Sequence, residues 1–340
     1  MNIKSYNFLQ VGLGSMGKRR IRNLVTNGII PKRIFGFDLS VARRKEAQEK
    51  YGIKTYADFK TAVKEVRPDV YMISTPPDKH HPYYLHAAKL KKHFFVEVGN
   101  HDTGFDKLYK LINNRFVAAP SCTFRYLPSV KKIKKIVEKK NIGKILSFQY
   151  HLGQYLPDWH PWEDYRKVYY AQKSTGGCKE MFPFELIWLS DIVNSYPKEV
   201  CGFTEKVSDL KMMADDIYAS VVKFNNKVIG SITIDLLARK AFRTLRIIGS
   251  DGVLDWEWLD YRLKVYQAKT KKWKTINLIK VASEKGYNAT EDMYNEEIKM
   301  FLRAIAGKQK YPFTFKEFHQ ILKSLYALEQ GAKSKKTIIL

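Results

Sequence analysis

An α/β chain is predicted, with an N-terminal doubly wound parallel sheet followed by a C-terminal α+β domain on an open, mostly antiparallel sheet. Three observations predict it. Short apolar runs alternate with helical patterns through the first third of the chain, and strands of alternating polarity recur in its second half. With 340 residues at 45% hydrophobic content, the chain has enough apolar material for two cores without disulfides or metals.

Residues Tyr6 to Val11 form the first apolar run. Gly12-Leu13-Gly14-Ser15-Met16-Gly17 follows at once, and Ile21, Leu24 and Val25 then fall on one helical face. This is strand, glycine turn and helix. Gly12 permits the tight turn, Gly14 lets backbone approach a pyrophosphate, and Gly17 lets helix and strand pack closely, while Ser15 and Met16 open the helix toward the phosphates. A second run, Ile34 to Phe37, ends in Asp38, 26 residues after Gly12. An acidic side chain there accepts hydrogen bonds from the adenosine ribose hydroxyls and repels a 2′-phosphate. NAD(H) is therefore expected over NADP(H), although Arg43 and Arg44 stand near enough to weaken the preference. The pattern is that of a Rossmann domain.

Val70 to Ile73 is a third run, ending in Ser74-Thr75-Pro76-Pro77-Asp78. A helical stretch from Pro82 leads to a fourth run, Phe94 to Val96. In parallel sheets of this kind ligands sit at the carboxyl ends of the strands, which makes Thr75, Pro76, His80 and Glu97 candidates for cofactor and substrate contact. Further on, Tyr218 to Phe224, Val228 to Ile234, Thr244 to Ile248 and Arg262 to Tyr266 alternate as strands of an antiparallel sheet. Glu296 to Ala306 and Phe318 to Leu328 read as closing helices.

The formal charge is +26, which raises the question of a nucleic-acid partner. Its distribution answers no. Residues 1–122 carry 22 Lys and Arg against 10 Asp and Glu, so about half of the excess lies in each part of the chain rather than in a basic tail. The densest run, Lys131 to Lys144, places Ile133, Ile136 and Val137 at helical spacing and reads as an amphipathic helix with a solvated basic face. The positive field favours anionic small molecules such as sugar nucleotides or acid sugars. Cys122, Cys178 and Cys201 are far apart and show no CxxC spacing, so neither a disulfide framework nor a metal site is expected, and a reducing compartment suits them. No signal-peptide pattern opens the chain and no apolar run reaches the roughly 18 residues of a membrane span, so a cytoplasmic protein with no membrane partner is expected.

These motifs resemble the Gfo/Idh/MocA family of sugar and cyclitol dehydrogenases over nearly the whole chain. Thr75-Pro76-Pro77-Asp78-Lys79-His80 is similar to the family's TPxxxH segment, and Glu97 stands where its EKP motif begins, 17 residues after His80. Ser121 to Pro128 resembles the crossover into the second domain, with Arg125 at a recurrent arginine. Gly153 to Arg166 resembles a segment of members that serve surface-polysaccharide and nonulosonic-acid-type sugar synthesis. Its Trp159, Trp162, Tyr165 and Arg166 are residue types that stack on sugar rings and bind hydroxyls, although an interdomain or dimer-contact loop would use the same anchors. The resemblance implies an NAD-binding domain over 1–122 and a substrate-binding, dimerising domain over 123–340. It also implies a sugar-type small-molecule substrate and a homo-oligomer, dimer or tetramer.

Two departures from the family pattern bear on chemistry. Val98 and Gly99 replace the lysine and proline of EKP, and after Gly176-Gly177 the usual catalytic histidine falls on Phe184 or Glu185. Three readings follow. Redox chemistry persists with a different acid/base, for which Glu97, Lys179 and Glu185 are the chosen candidates, with His101 and Tyr165 nearby in sequence. Alternatively the chain binds NAD without net turnover as a regulatory subunit. In the third reading, a retained NAD serves an epimerase or lyase. The first is preferred because Glu97, Glu180, Glu185 and Lys179 form a dense polar set whose members shift one another's pKa, although Lys179 and Glu180 also suit a solvated helix start.

Overall fold

The structure is a computed structural model that describes residues 3–159, 163–278 and 290–340. The first part of the chain alternates strictly: β1 (Phe8–Val11), α1 (Ser15–Thr26), β2 (Ile34–Phe37), α2 (Val41–Tyr51), β3 (Lys54–Tyr56), α3 (Phe59–Val66), β4 (Val70–Ile73), α4 (His81–Lys89), β5 (His93–Val96), α5 (Phe105–Leu111) and β6 (Ala118–Pro120). The six strands form one parallel sheet in the order β3-β2-β1-β4-β5-β6. Its order reverses between β1 and β4, the position where such sheets open a crevice at the strand carboxyl ends. β1 and β4 are buried at every position, as strands covered on both faces must be. β1 starts two residues later than the apolar run suggests, because the Tyr6 N–H closes a short 3₁₀ turn onto Ile3 O at 3.1 Å.

The chain continues through α6 (Pro128–Glu138), β7 (Ile145–Tyr155), α7 (Cys178–Val193), β8 (Pro197–Glu205), β9 (Ile217–Phe224), β10 (Ile229–Asp235), β11 (Leu237–Gly249), β12 (Gly252–Glu257), β13 (Arg262–Gln267), β14 (Lys272–Asn277), α8 (Glu291–Ile305), α9 (Phe315–Ser334) and β15 (Ile338–Ile339). Among the described residues the second sheet has nine strands in the order β14-β13-β12-β11-β7-β10-β9-β8-β15. Only β7 and β10 pair in parallel; the other pairs are antiparallel. α7 packs on β9 and β10, so Tyr218, Val222, Ile232 and Ile234 are buried while alternate residues such as Val221 remain accessible. α6 buries Val130, Ile133 and Ile136 and stops at Glu138, six residues before the basic run ends. The rest of that run is a turn, with Lys140 at φ +54°.

Two compact units result, but the boundary is not a single cut near residue 122. The first comprises Met1–Thr123 with Asp292–Phe318, and the second Phe124–Glu291 with His319–Leu340. The expected division at 122/123 therefore assigns most of α8 to the wrong body. The reason is packing and charge. Ile298, Phe301, Leu302 and Ile305 of α8 join the core formed by Phe8, Ile21, Leu24 and Phe95. Glu297, fully buried on the same helix, pairs with the equally buried Arg20 of α1 at 2.9 Å. The same carboxylate accepts from the Cys122 N–H at 2.5 Å and from the hydroxyls of Thr123 and Ser121 at 2.5 and 3.1 Å.

Removing one member of a buried ion pair leaves the other charge uncompensated, which typically costs about 3–5 kcal/mol. Glu297→Ala should therefore lower the unfolding free energy extrapolated from urea titration by an amount in that range, whereas Glu296→Ala on the exposed face should not. Equal effects from the two substitutions would show that the Arg20 pairing carries no special weight.

Candidate functional site: a dinucleotide cradle and separate polar pairs on the second unit

Gly12 leaves β1 with φ +89°, a left-handed conformation that side chains disfavour, and its N–H donates to Phe37 O at 2.8 Å. A Cβ at Gly12 would stand 2.6 Å from Ser74 O, and one at Gly17 would stand 1.9 Å from Gly12 O. Both positions are thus closed by the protein's own backbone. Gly14 differs: a Cβ there would meet only Arg43 Nη1, at 3.9 Å. Within the chain nothing closes the space above that point, which is open to an incoming group. Gly14 is also the N-cap of α1 and has no side chain to cap the helix, whose first residues are Ser15 and Met16. A phosphate fits the positive end of a helix opened in this way.

Asp38, 8% exposed at the end of β2, accepts the Leu13 N–H on Oδ2 and the Ser40 N–H on Oδ1, both at 2.8 Å. One N–H on each oxygen leaves acceptor capacity for a ribose diol. The exposed Arg43 lies 3.8 Å from the same carboxylate, whereas Arg44 turns away to donate to the carbonyls of Asp38 and Leu39. Of the two arginines, Arg43 alone stands over the glycine turn.

At the β4 end, the Thr75 carbonyl accepts from His80 Nε2 at 2.8 Å, while Thr75 Oγ1 is buried with no partner among the described residues. Pro76 leads into the turn Pro77–Lys79 that sets His80 at the start of α4. Burial drives the His80 pKa down to about 4, so its imidazole is neutral at pH 7. Glu97, at the β5 end, is held by Arg20 through Nε at 2.6 Å and Nη2 at 3.0 Å. The pairing is bidentate and charge-assisted, which commits both carboxylate oxygens to a guanidinium. His80, Glu97, Gly99 and His101 line a small hollow closed by Phe105 and Phe315.

The candidates on the second unit do not gather into one cluster. Lys179 pairs with Glu329 at 2.9 Å, and Tyr218 donates to the same carboxylate at 2.8 Å. Glu185 is fully buried: Arg243 binds Oε1 at 3.1–3.2 Å, and Tyr150 Oη and Trp188 Nε1 both donate to Oε2 at 2.7 Å. The choice of Glu185 as an acid/base is corrected on this ground, since a shielded carboxylate saturated by three donors is a core ion pair. Lys179, the other acid/base candidate on this unit, is engaged in its ion pair with Glu329. Arg125 reaches Ile187 O at 3.4 Å and Asp191 at 3.7 Å. Tyr165 Oη accepts the Lys211 N–H at 3.1 Å, and Arg166 is chelated by Asp164 at 2.7 and 2.8 Å in an exposed turn. Trp159 stacks obliquely on Tyr170 at 5.7 Å, its buried Nε1 lacking a described acceptor. Trp162, with His160 and Pro161, lies outside the described residues.

Glu180 belongs to the polar set that the sequence singled out but was not among the chosen acid/base candidates. It opens α7, its Oε1 accepts from Tyr169 Oη at 2.7 Å, and its Oε2 is buried without a described partner. Burial raises its pKa to about 7 against the lowering effect of the Tyr169 hydroxyl. Position just after Gly176-Gly177 was the only signal available, and a Lys-Glu pair there looks equally like a solvated helix start. Among the described residues no group of His, Cys, Asp and Glu is arranged to hold a metal ion, and no helix is long and apolar enough to cross a membrane.

Two family models match the chain, together over well more than half of its length. Residues 6–98 match "Oxidoreductase family, NAD-binding Rossmann fold", and residues 130–255 match "GFO/IDH/MocA C-terminal domain". The chain belongs to the Gfo/Idh/MocA oxidoreductase family. Its Rossmann domain is the family's NAD-binding domain, which the cradle at Gly14 and Asp38 fits. A levoglucosan dehydrogenase from Pseudarthrobacter phenanthrenivorans is 29% identical over 138 residues, covering 39% of this chain and 34% of that relative. The chain thus matches about a third of that relative's length. A structure of levoglucosan dehydrogenase with NADH and levoglucosan has a TM-score of 0.82 at 18% identity, covering 98% of this chain and 99% of its own. An Agrobacterium radiobacter oxidoreductase in complex with NAD+, L-tartaric acid and magnesium scores 0.85 at 13% identity over 98% of each chain. Myo-inositol 2-dehydrogenase from Lactobacillus plantarum scores 0.80 at 18% identity over 98% and 99%. These structures share the fold.

The His80 imidazole has a consequence for stability. Its folded pKa of about 4 lies below the unfolded value near 6.5, so the unfolded chain binds the extra proton first and stability falls as pH drops from about 6.5 toward about 4. At pH 5 the loss should be about 2 kcal/mol relative to pH 7.5. Unfolding free energies of the wild type and His80→Gln from urea titration, compared at the two pH values, should show the gap between them shifting by that amount in favour of the variant. A constant gap would mean that His80 protonates as readily folded as unfolded.

Proposed function

We propose that this chain is an NAD(H)-dependent dehydrogenase or reductase acting on a hydroxyl or carbonyl of a sugar, sugar acid or nucleotide sugar, with an acid/base different from the family's lysine and histidine. One observation carries the reading: the opening above Gly14, bordered by the Asp38 carboxylate, in a chain built from both family domains. Bound there, the dinucleotide supplies a hydride acceptor or donor. The chain's own residues do the rest. The α1 N-terminus with Gly14, Ser15 and Met16 holds the pyrophosphate, and Asp38 holds the adenosine ribose. Thr75, Pro76, His80 and Glu97 shape the β4 and β5 ends, with Arg20 fixing the Glu97 carboxylate and burial keeping His80 neutral.

The substrate class is supported by the named relatives, which act on levoglucosan and inositol, and by the charge of +26, which draws anionic sugars from solution. Arg125, Trp159, Trp162, Tyr165 and Arg166 are the residues we assign to substrate binding. A role in surface-polysaccharide synthesis, a cytoplasmic location and a dimeric or tetrameric assembly complete the reading.

Asp38→Ala should weaken NADH binding by ten-fold or more, the effect of roughly 1.4 kcal/mol, while NADPH affinity changes less, as followed by nicotinamide fluorescence. Unchanged affinity for both would sink the cofactor site. With wild type and NAD+ or NADH, nucleotide sugars and acid sugars should change the nicotinamide absorbance. Binding with no change across the panel would leave an NAD-binding protein without redox turnover.

A further inference from the structure

Four turns line one end of the second sheet. The β11–β12 turn is tied to the α6–β7 turn, its Ser250 N–H donating to Lys144 O at 2.9 Å and its Asp251 N–H to Ile142 O at 3.0 Å. The Ala268 N–H of the β13–β14 turn donates in turn to Asp251 O at 2.9 Å. β10 leaves the β9–β10 turn in parallel register with β7, Ile229 opposite Ser147, so that turn lies at the same end. From the β13–β14 turn to the β9–β10 turn the row covers five strand spacings, about 24 Å. Lys139, Lys140 and Lys144, then Lys227, then Lys269, Lys271 and Lys272 stand exposed along it, and none has an ion-pair partner among the described residues. Over residues 139–144, 225–228, 250–251 and 268–272, Asp251 is the only carboxylate. Trp273, Leu146 and Ile229, each the first or second residue of a strand that starts here, are 51, 50 and 48% exposed.

We propose that this end of the second sheet is a docking face for the surface of an anionic lipid bilayer, its lysines meeting the headgroups and Trp273, Leu146 and Ile229 entering the boundary between headgroups and acyl chains. An ammonium is a point charge that suits a diffuse array of anions, whereas nucleic-acid readout leans on the planar guanidinium, and these turns carry no arginine. The half-exposed apolar side chains gain nothing from a phosphodiester backbone but leave water at a bilayer surface. Trp273 packs on Tyr266 with ring centroids 5.4 Å apart, and amphipathic aromatics of this kind concentrate at headgroup level. The contact is peripheral, since no described helix is long and apolar enough to cross a membrane. The expectation of no membrane partner rests on the lack of a spanning segment, which a surface contact does not need. Lys140, Lys227 and Lys271 have φ +54°, +72° and +57°, a left-handed conformation that asparagine tolerates better than lysine. Their charges can therefore be removed while the turns are kept.

Sedimentation of the full chain with vesicles of phosphatidylcholine alone, and of phosphatidylcholine with about one-third phosphatidylserine, tests the face. In about 0.1 M salt the protein should partition onto the anionic vesicles and not onto the neutral ones, and it should be released as salt rises to about 0.5 M. At about five-fold per lysine, the triple variant Lys140→Asn, Lys227→Asn, Lys271→Asn should lose roughly 100-fold in partition, with a urea midpoint at or above that of the wild type. Lys60→Gln, Lys107→Gln and Lys110→Gln together remove the same charge from exposed helix positions of the first unit and should cost less than about three-fold. The Trp273 emission, taken as wild type minus Trp273→Phe, should shift to the blue on anionic vesicles. No partition onto anionic vesicles, equal losses from the two triple variants, or an unshifted Trp273 emission would overturn the docking face. Retention on duplex or single-stranded DNA without partition onto vesicles would overturn the bilayer as its occupant. The dehydrogenase reading stands or falls separately, on the nicotinamide measurements.

Discussion

The guanidinium of Arg20 is completely buried, and its placement governs the first unit. Two carboxylates, Glu97 at the end of β5 and Glu297 on α8, share it, and the rings of Phe95 and Tyr294 lie 4.6 and 5.3 Å from its central carbon. An isolated ion in such surroundings would be prohibitively costly, so the two acids and the arginine must be assembled together. The result draws a segment from far along the chain into the N-terminal core. It also fixes Glu97 at a strand end where ligands of parallel sheets are handled. The Glu97 carboxylate is therefore held by a guanidinium on both oxygens, a role different from that of a free base.

The same closeness of packing explains the dinucleotide cradle. α1 can begin directly above β1 only because Gly12 and Gly17 let backbone pass within contact of Ser74 and of each other. Gly14, lying between them, is open to the outside. Asp38 then has two tasks at one place: it ties the glycine turn through the Leu13 N–H and keeps acceptor capacity toward the opening. Scaffold and recognition are coupled there, so binding chemistry and loop geometry respond to the same side chain.

In the second unit, charge has been internalised for structure at one point and left poised at another. Glu185 is saturated by Arg243, Tyr150 and Trp188 beneath the open sheet. Glu180, five residues earlier on the same helix, keeps one oxygen without a described donor. The difference comes from depth: position 185 turns toward β7 and β11, which bring Tyr150 and Arg243, whereas position 180 lies in the first turn, where the incoming loop supplies a single hydroxyl.

The local elements of the first unit were legible in sequence because each rests on short-range rules. Apolar runs ending at Val11, Phe37, Ile73 and Val96 became strands with those same ends, and the glycine spacing marked the turn that α1 requires. Family membership and the NAD-binding domain followed from those motifs. The sequence by itself thus determined the two sheet classes, the cradle at Gly12, Gly14 and Gly17, and the acidic residue at position 38. Tertiary structure alone decided that most of α8 folds with the first unit, that Lys179 and Glu185 are consumed in ion pairs, and that Glu180 keeps a partner-poor carboxyl beside Tyr169. Whether a charged side chain is solvated, paired or stranded depends on which distant residues the fold sets within hydrogen-bonding distance. No local spacing of charges contains that information.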